Sequence, residues 1–212
     1  MVEPGIRRRI APAIDMSHHH VCPVWVGYLL ANPIRAILQN PKKILAPHVT
    51  SGMRVLDVGS AMGFFSLPVA RLVGPKGRVF CVDLQQKMLD SLVRRARRAQ
   101  VLDRIEVRRC GTDSLGIPDL HGQIDLALVF AVVHEVDDPA RLFAEVHDAL
   151  RPGGRVLFAE PKGHVRWHAF DKSLAVAGRS GLRKLDTLRI PWSHGALLEK
   201  QGRAAHSLAR AA

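Results

Sequence analysis

The sequence lacks an uninterrupted apolar run of the about 20 residues that a membrane-spanning helix requires, so no membrane segment is expected. It has only three cysteines, Cys22, Cys81 and Cys110, and no two of them are close in the chain. This pattern disfavours a disulfide framework and a cysteine-paired zinc site. The arginines near the N-terminus are not followed by the apolar stretch of a secretory signal. We therefore expect a cytoplasmic protein.

Aromatic residues are also scarce, at 5% of the 212 residues, and acidic residues are outnumbered by Lys and Arg, 19 against 31. The resulting net charge of +12 makes nucleic acid a candidate partner. Part of this charge belongs to Arg94, Arg97 and Arg98, which share one face of a predicted helix. The shortage of aromatic side chains argues against a platform for stacking bases. Nucleic acid is therefore the less favoured partner.

From residue 53 onward, short apolar runs rich in β-branched residues alternate with segments of helical periodicity. The alternation predicts right-handed βαβ units and a parallel sheet, with an antiparallel hairpin from the last two strands at one edge. The predicted strands are Met53–Val58, Arg78–Val82, Arg104–Arg109, Ile124–Phe130, Arg155–Ala159, Leu182–Ile190 and Gly195–Lys200. The predicted helices are Phe64–Val73, Gln85–Gln100, Pro139–Leu150 and Trp167–Ala177. A turn is predicted at Arg151–Gly154.

A glycine-containing loop connects the first predicted strand to the first helix. The strand carries Asp57 near its end and is followed by Gly59, three residues and Gly63. Glycines at such a turn let the backbone approach a ligand, and the helix N-terminus offers free N–H groups. The G-x-x-x-G spacing departs from the G-x-G-x-x-G of dinucleotide sites, and a carboxylate is a poor neighbour for a pyrophosphate. Asp57 suits a ligand that carries an ammonium group instead.

The second predicted strand leads into Asp83, 20 residues after Gly63. An acid at this place can accept hydrogen bonds from both hydroxyls of a ribose. The site therefore requires a cationic amino-acid end and a ribose without phosphates, a combination that S-adenosylmethionine has. The same spacing makes an NAD-dependent oxidoreductase a disfavoured alternative.

From about Pro41 to Lys200 the chain resembles the class I S-adenosylmethionine-dependent methyltransferases. Val55–Gly63 is similar to the first motif of that family, Phe80–Leu84 to the second, and Cys110–Gly116 to the loop that covers the adenine. Ala131–Pro139 and Arg151–Glu160 resemble its small-molecule branch, known as type 11. The resemblance implies an α/β, Rossmann-like three-layer sandwich. Its seven-stranded sheet would be mostly parallel, with an antiparallel last strand.

The resemblance also implies a set of cofactor contacts around the loop and the neighbouring strand ends. These are Asp57, Gly59, Ser60, Ala61, Gly63, Asp83, Leu84, Gly111, Thr112 and Phe130. Two positions depart from the family pattern. Ala61 stands where the family usually has glycine, and Gly111 stands where it often has aspartate. The adenine contact then falls to the backbone N–H of Thr112 or to Asp113.

Methyl transfer from a sulfonium is a direct displacement, which needs a base only if the attacking atom carries a proton. Such a base would lie where the fourth and fifth strands end. His134 is the first candidate, since the pKa of histidine lies near working pH. Glu160 and His164 are the other candidate catalytic residues. Packing without a catalytic role is the alternative for each.

The family pattern divides the chain into an N-terminal segment with lid helices (1–45), a methyltransferase domain (46–201) and a flexible tail (202–212). The expected reaction methylates a small-molecule acceptor and leaves S-adenosylhomocysteine. An RNA methyltransferase and a non-catalytic S-adenosylmethionine-binding protein are the alternatives. The C-terminal hairpin offers a surface for a homodimer. No metal site is expected, because the His18–His20 run and Cys22 lack a second ligand cluster with recognisable spacing.

Overall fold

A computed structural model describes residues 39–202. The predictions made for residues 1–38, including the histidine run and Cys22, and for 203–212 lie outside the described residues. The helices are α1 (Pro41–Leu45), α2 (Ser66–Leu72), α3 (Gln86–Arg98), α4 (Pro139–Ala149) and α5 (Trp167–Arg179). The strands are β1 (Arg54–Val58), β2 (Arg78–Asp83), β3 (Ile105–Arg109), β4 (Ile124–Phe130), β5 (Leu150–Pro161), β6 (Leu182–Thr187) and β7 (Ser193–Lys200). No helix among residues 39–202 is long and apolar enough to cross a membrane.

The seven strands form one sheet in the order β3-β2-β1-β4-β5-β7-β6. Strands β1 to β5 pair in parallel, whereas β7 runs antiparallel to both of its neighbours, β5 and β6. The predicted seven-stranded, mostly parallel sheet and its antiparallel last strand are therefore confirmed, as is the edge hairpin.

The central strands are buried on both faces because helices cover both faces of the sheet. Neighbouring side chains of a strand point to opposite faces, so Leu56 and Val58 enter one core cluster and Val55 enters the other. Burying each such side chain contributes about 1.5–3 kcal/mol. Leu45 of α1 is fully buried in the second cluster, which attaches this short helix to the domain.

Local signals explain where two of the helices begin. The side chain of Asp138 accepts a hydrogen bond from the N–H of Arg141, and Pro139 occupies the first turn of α4, as predicted. Asn40 caps α1 in the same way through the N–H of Lys43.

The predicted turn at Arg151–Gly154 is wrong, because these residues belong to the first part of β5. The pairing advances from Ile124 to Leu126 on β4 while it advances from Leu150 to Arg155 on β5. The extra residues, which include Pro152, Gly153 and Gly154, form a bulge, a place in a strand that tolerates proline and glycine. Strand β6 also ends at Thr187, three residues before the predicted end.

The chain leaves β1 for β2 on one side, and the later strand β4 pairs on the other side of β1. This reversal of strand order opens a crevice beyond the carboxyl ends of β1 and β4, where ligands bind in open α/β sheets. The glycine loop, Asp83, Phe130 and Glu160 lie at the carboxyl ends of β1, β2, β4 and β5, respectively.

Candidate active site

The loop after β1 requires both of its glycines. Gly59 has φ +67° and Gly63 has φ +83°, in the left-handed region that favours glycine. A Cβ on Gly59 would lie 3.0 Å from a methyl group of Val132, and one on Gly63 would lie 3.0 Å from Leu92. Conformation and close packing therefore both select glycine at these two positions.

Ala61 adopts the left-handed region as well, with φ +46°, although it has a side chain. Left-handed backbone costs a non-glycine residue about 1–2 kcal/mol. The departure from the family pattern is therefore a strained residue in the centre of the loop.

The substitution Ala61→Gly is expected to stabilise the fold by about 0.5–1 kcal/mol, since relief of strain exceeds the added freedom of glycine in the unfolded chain. Urea unfolding would measure the change. Ala99→Gly is the control, because Ala99 has φ −83° and gains nothing from glycine. A destabilised Ala61→Gly variant would contradict the assignment of strain.

The carboxylate of Asp83 connects two backbone segments at the site. Its Oδ2 accepts the N–H of Ala61 and its Oδ1 accepts the N–H of Gln85, each at 2.8 Å. Burial raises the pKa of Asp83, and the two hydrogen bonds oppose that shift. Because a carboxylate oxygen can accept more than one hydrogen bond, both oxygens can still receive ribose hydroxyls.

The hydroxyl of Ser60 is the observation that points most directly to a ligand. Its Oγ is buried and has no hydrogen-bond partner within residues 39–202. Such a group costs about 1–3 kcal/mol unless something satisfies it. A polar group of a ligand bound in the glycine loop would do so, and the residues present therefore fit the predicted cofactor.

The structure turns Asp57 toward α2, beneath the loop. Its Oδ2 accepts a 2.5 Å hydrogen bond from the hydroxyl of Ser66, a partner that the sequence did not suggest. Burial raises the pKa of Asp57 from 3.8 to about 7, the Ser66 hydrogen bond opposes this shift, and the nearby charge of Asp83 adds to it. Burial thus favours the protonated form of Asp57, which weakens it as a partner for an ammonium group.

The raised pKa of Asp57 predicts a pH dependence of stability. Between pH 3.8 and about 7 Asp57 binds more protons in the native state than in the unfolded chain, so its contribution to stability falls as pH rises through this range. The whole effect is at most about 4 kcal/mol, at about 1.4 kcal/mol per pKa unit. Asp57→Asn is expected to flatten the curve measured by urea unfolding from pH 4 to 8. The exposed Asp90→Asn is the control, and equal slopes in wild type and Asp57→Asn would contradict the shift.

All three predicted catalytic residues meet at the ends of β4 and β5. Glu160 is buried and accepts the N–H of Val133 at 2.8 Å and the Nδ1–H of His134 at 2.5 Å. The ring of His164 stacks on that of His134, with centroids 5.9 Å apart. Ala131, just before this turn, has φ +56°, the strained geometry that functional sites often retain.

The hydrogen bond to Glu160 decides which nitrogen of His134 is available. A carboxylate only accepts, so Nδ1 carries the proton and Nε2 is left as the basic atom. The same hydrogen bond raises the pKa of His134, and burial opposes the rise. A buried carboxylate that orients an imidazole is a recurrent arrangement in general-base catalysis.

Glu135 is a member of this cluster that the sequence-based prediction did not name. Its Oε1 lies 3.9 Å from Nε2 of His134, and burial raises the pKa of Glu135. The negative charges of Glu160 and Asp83 also raise the pKa of Glu135. The sequence could have indicated Glu135, because it directly follows the predicted base His134.

The remaining predicted cofactor residues lie at or just after the carboxyl ends of β2, β3 and β4. Phe130 ends β4 and packs against Phe65, with ring centroids 4.5 Å apart. Leu84 follows Asp83, while Gly111 and Thr112 are exposed in the loop after β3. A Cβ on Gly111 would lie 2.8 Å from a carboxylate oxygen of Asp113. Asp113 therefore occupies the space that a side chain at residue 111 would fill.

A family model described as a methyltransferase domain matches residues 56–158, which contain the glycine loop, Asp83 and His134. Residues 56–158 therefore form a methyltransferase domain of the class I S-adenosylmethionine-dependent kind. A solved methyltransferase from Aquifex aeolicus has the same fold, with a TM-score of 0.76 at 20% identity over 84% of this chain and 98% of that one.

Two curated proteins are more similar to this chain in sequence. The ubiquinone/menaquinone biosynthesis C-methyltransferase UbiE of Pseudomonas entomophila is 33% identical over 132 residues, 58% of this chain and 48% of its own. A 37.1 kDa protein in transposon TN4556 of Streptomyces fradiae is 36% identical over 110 residues, 52% of this chain and 30% of its own. The chain thus spans half or less of the length of these relatives.

Proposed function

We propose that this methyltransferase transfers the methyl group of S-adenosylmethionine to a small-molecule acceptor and that His134 removes the acceptor's proton. The observation that supports this most strongly is the His134–Glu160 pair, held at 2.5 Å at the same carboxyl edge of the sheet as the glycine loop and Asp83. A positioned base and a donor site within one crevice are the two parts that the reaction needs.

We assign the donor site to three groups of residues. Asp83 would hold the ribose hydroxyls, and Ser60 with the loop backbone would bind the amino-acid end. Leu84, Thr112 and Phe130 would border the adenosine. Bound there, S-adenosylmethionine supplies a methyl group on a positively charged sulfur. Asp57 would act through Ser66 and the loop rather than by direct contact.

In the proposed reaction the acceptor atom attacks the methyl carbon, and Nε2 of His134 takes the proton that this atom carries. Glu160 keeps Nδ1–H in place and stabilises the imidazolium that forms. The products are the methylated acceptor, S-adenosylhomocysteine and one proton, which His134 releases to solvent.

The acceptor that we propose is a small molecule whose attacking atom bears a proton. The relatives named as quinone-pathway C-methyltransferases make a ring carbon the first acceptor to test. The described cysteines, Cys81 and Cys110, are both free, which agrees with the reducing cytoplasm that we propose as its location.

Calorimetric titration of the wild-type protein with S-adenosylmethionine, S-adenosylhomocysteine and NAD⁺ tests the donor site. We expect the first two to bind and NAD⁺ not to bind. Transfer of a labelled methyl group to a panel of phenols, quinols and amines then tests the acceptor class. Binding of NAD⁺ alone would overturn the proposal, and so would binding of the donor without transfer to any small molecule while RNA is methylated.

A further inference from the structure

One arginine of α3 is separated from the exposed basic face of that helix. Arg94, Arg97 and Arg98 are exposed, as the helical spacing predicted, whereas Arg95 is partly buried and points to the glycine loop. Its Nη1 donates a 2.7 Å hydrogen bond to the carbonyl oxygen of Met62. This contact joins residues 33 positions apart in the chain.

The Met62 carbonyl belongs to the peptide unit that closes the loop. The N–H of the same peptide, on Gly63, donates to the carbonyl of Ser60 at 2.9 Å. Arg95 therefore fixes one side of this peptide and Ser60 fixes the other. Between them, Ala61 is held by Asp83. Three hydrogen bonds therefore hold the strained turn from Ser60 to Gly63: one from Arg95 of α3, one to Asp83 at the end of β2, and one within the turn.

The environment of Arg95 indicates that this contact has a cost. Burial lowers the pKa of Arg95, and no carboxylate within residues 39–202 forms a salt bridge with it. A partly desolvated cation without an acidic partner is unfavourable unless its hydrogen bonds compensate. The described partner of Arg95 is the Met62 carbonyl of the loop, so we infer that the side chain stabilises the loop.

We propose that Arg95 is a positioning residue that holds the glycine loop in its cofactor-binding shape before the cofactor arrives. The inference rests on the proposed function for the identity of the ligand, but the effect on the loop does not depend on it. Arg95 makes no contact with reacting atoms in this role. It fixes the turn that presents the Ser60 hydroxyl and the loop backbone to the ligand.

The test compares Arg95→Met, which keeps the length of the side chain, with Arg97→Met, which removes the same charge from the exposed face. We expect Arg95→Met to weaken S-adenosylhomocysteine binding about tenfold, as for one lost hydrogen bond from a charged donor. We expect kcat at saturating donor to stay within about twofold, because only ground-state positioning is lost. Arg97→Met should match wild type, and Arg95→Lys should recover part of the affinity.

Hydrogen exchange on the cofactor-free proteins tests the loop directly. The amides of residues 60–64 should exchange faster in Arg95→Met than in Arg97→Met, while those of β4 remain unchanged. Equal exchange and equal affinity in the two variants would overturn the proposal. If Arg95→Met does not fold, Arg95→Lys decides by the same two measurements. A wild-type protein that binds no S-adenosylhomocysteine would reject the proposed function, while the exchange result would still decide the role of Arg95.

Discussion

Asp83→Ala is expected to weaken the binding of S-adenosylmethionine by more than about a hundredfold. The variant loses the proposed hydrogen bonds to the ribose, each worth about 1.5–3 kcal/mol when one partner is charged, and about 1.4 kcal/mol corresponds to a factor of ten. It also frees the N–H of Ala61, which the carboxylate holds at 2.8 Å. Both changes act against the cofactor, one on its ribose and one on the loop.

Calorimetry on wild type, Asp83→Ala and Asp83→Asn would measure this effect. Asp83→Asn keeps one acceptor oxygen and is expected to bind with intermediate affinity. Asp90→Ala removes an exposed carboxylate from α3 and is the matched control for net charge. If Asp83→Ala binds the cofactor as tightly as Asp90→Ala does, the assignment of the ribose to Asp83 is wrong.

His134→Gln is expected to lower kcat by about 10²–10⁴-fold, the usual contribution of a general base. The affinity for S-adenosylmethionine should change little, because His134 lies in the turn after β4 and not in the glycine loop. Steady-state kinetics with the acceptor from the screen, together with calorimetry, separates the two effects. His168→Gln is the matched control, since His168 is an exposed histidine on α5. Unchanged kcat in His134→Gln would remove this residue from the mechanism.

The pH profile gives a second measure of the same pair. His134 must be neutral to act as a base, and its pKa is raised by the hydrogen bond to Glu160. The value of kcat/KM should therefore rise with pH through a pKa above 6.5. Glu160→Gln removes the negative charge, so the acidic limb should move to lower pH and the plateau should fall. If the acidic limb of the kcat/KM profile does not move in Glu160→Gln, a group other than His134 is responsible for it.

The glycine loop and Asp83 could be predicted because their signals are local. Gly59 and Gly63 lie four residues apart on a turn that needs their conformations, and Asp83 leads directly out of a strand that the apolar pattern predicts. The parallel sheet followed from strands alternating with helices. The segment Arg151–Gly154 carried turn residues but became a bulge within β5, because Leu150 and Arg155 on either side of it pair with β4.

The functions of individual side chains depended on partners far away in the chain. Glu160 meets His134 across 26 positions, and Arg95 reaches Met62 across 33. The Asp57–Ser66 contact spans only nine positions, yet its direction depends on how α2 packs over β1. No spacing rule predicts such pairs, since the sheet order and helix packing determine which side chains meet.

The sequence by itself therefore determined the sheet, the loop and the kind of cofactor, because each depends on the conformational preferences and chemistry of neighbouring residues. Only the tertiary structure decided that Asp57 faces Ser66, that Glu160 orients His134 and that Arg95 supports the loop. These choices arise because burial removes water from polar groups and thereby favours their pairing with other groups of the fold.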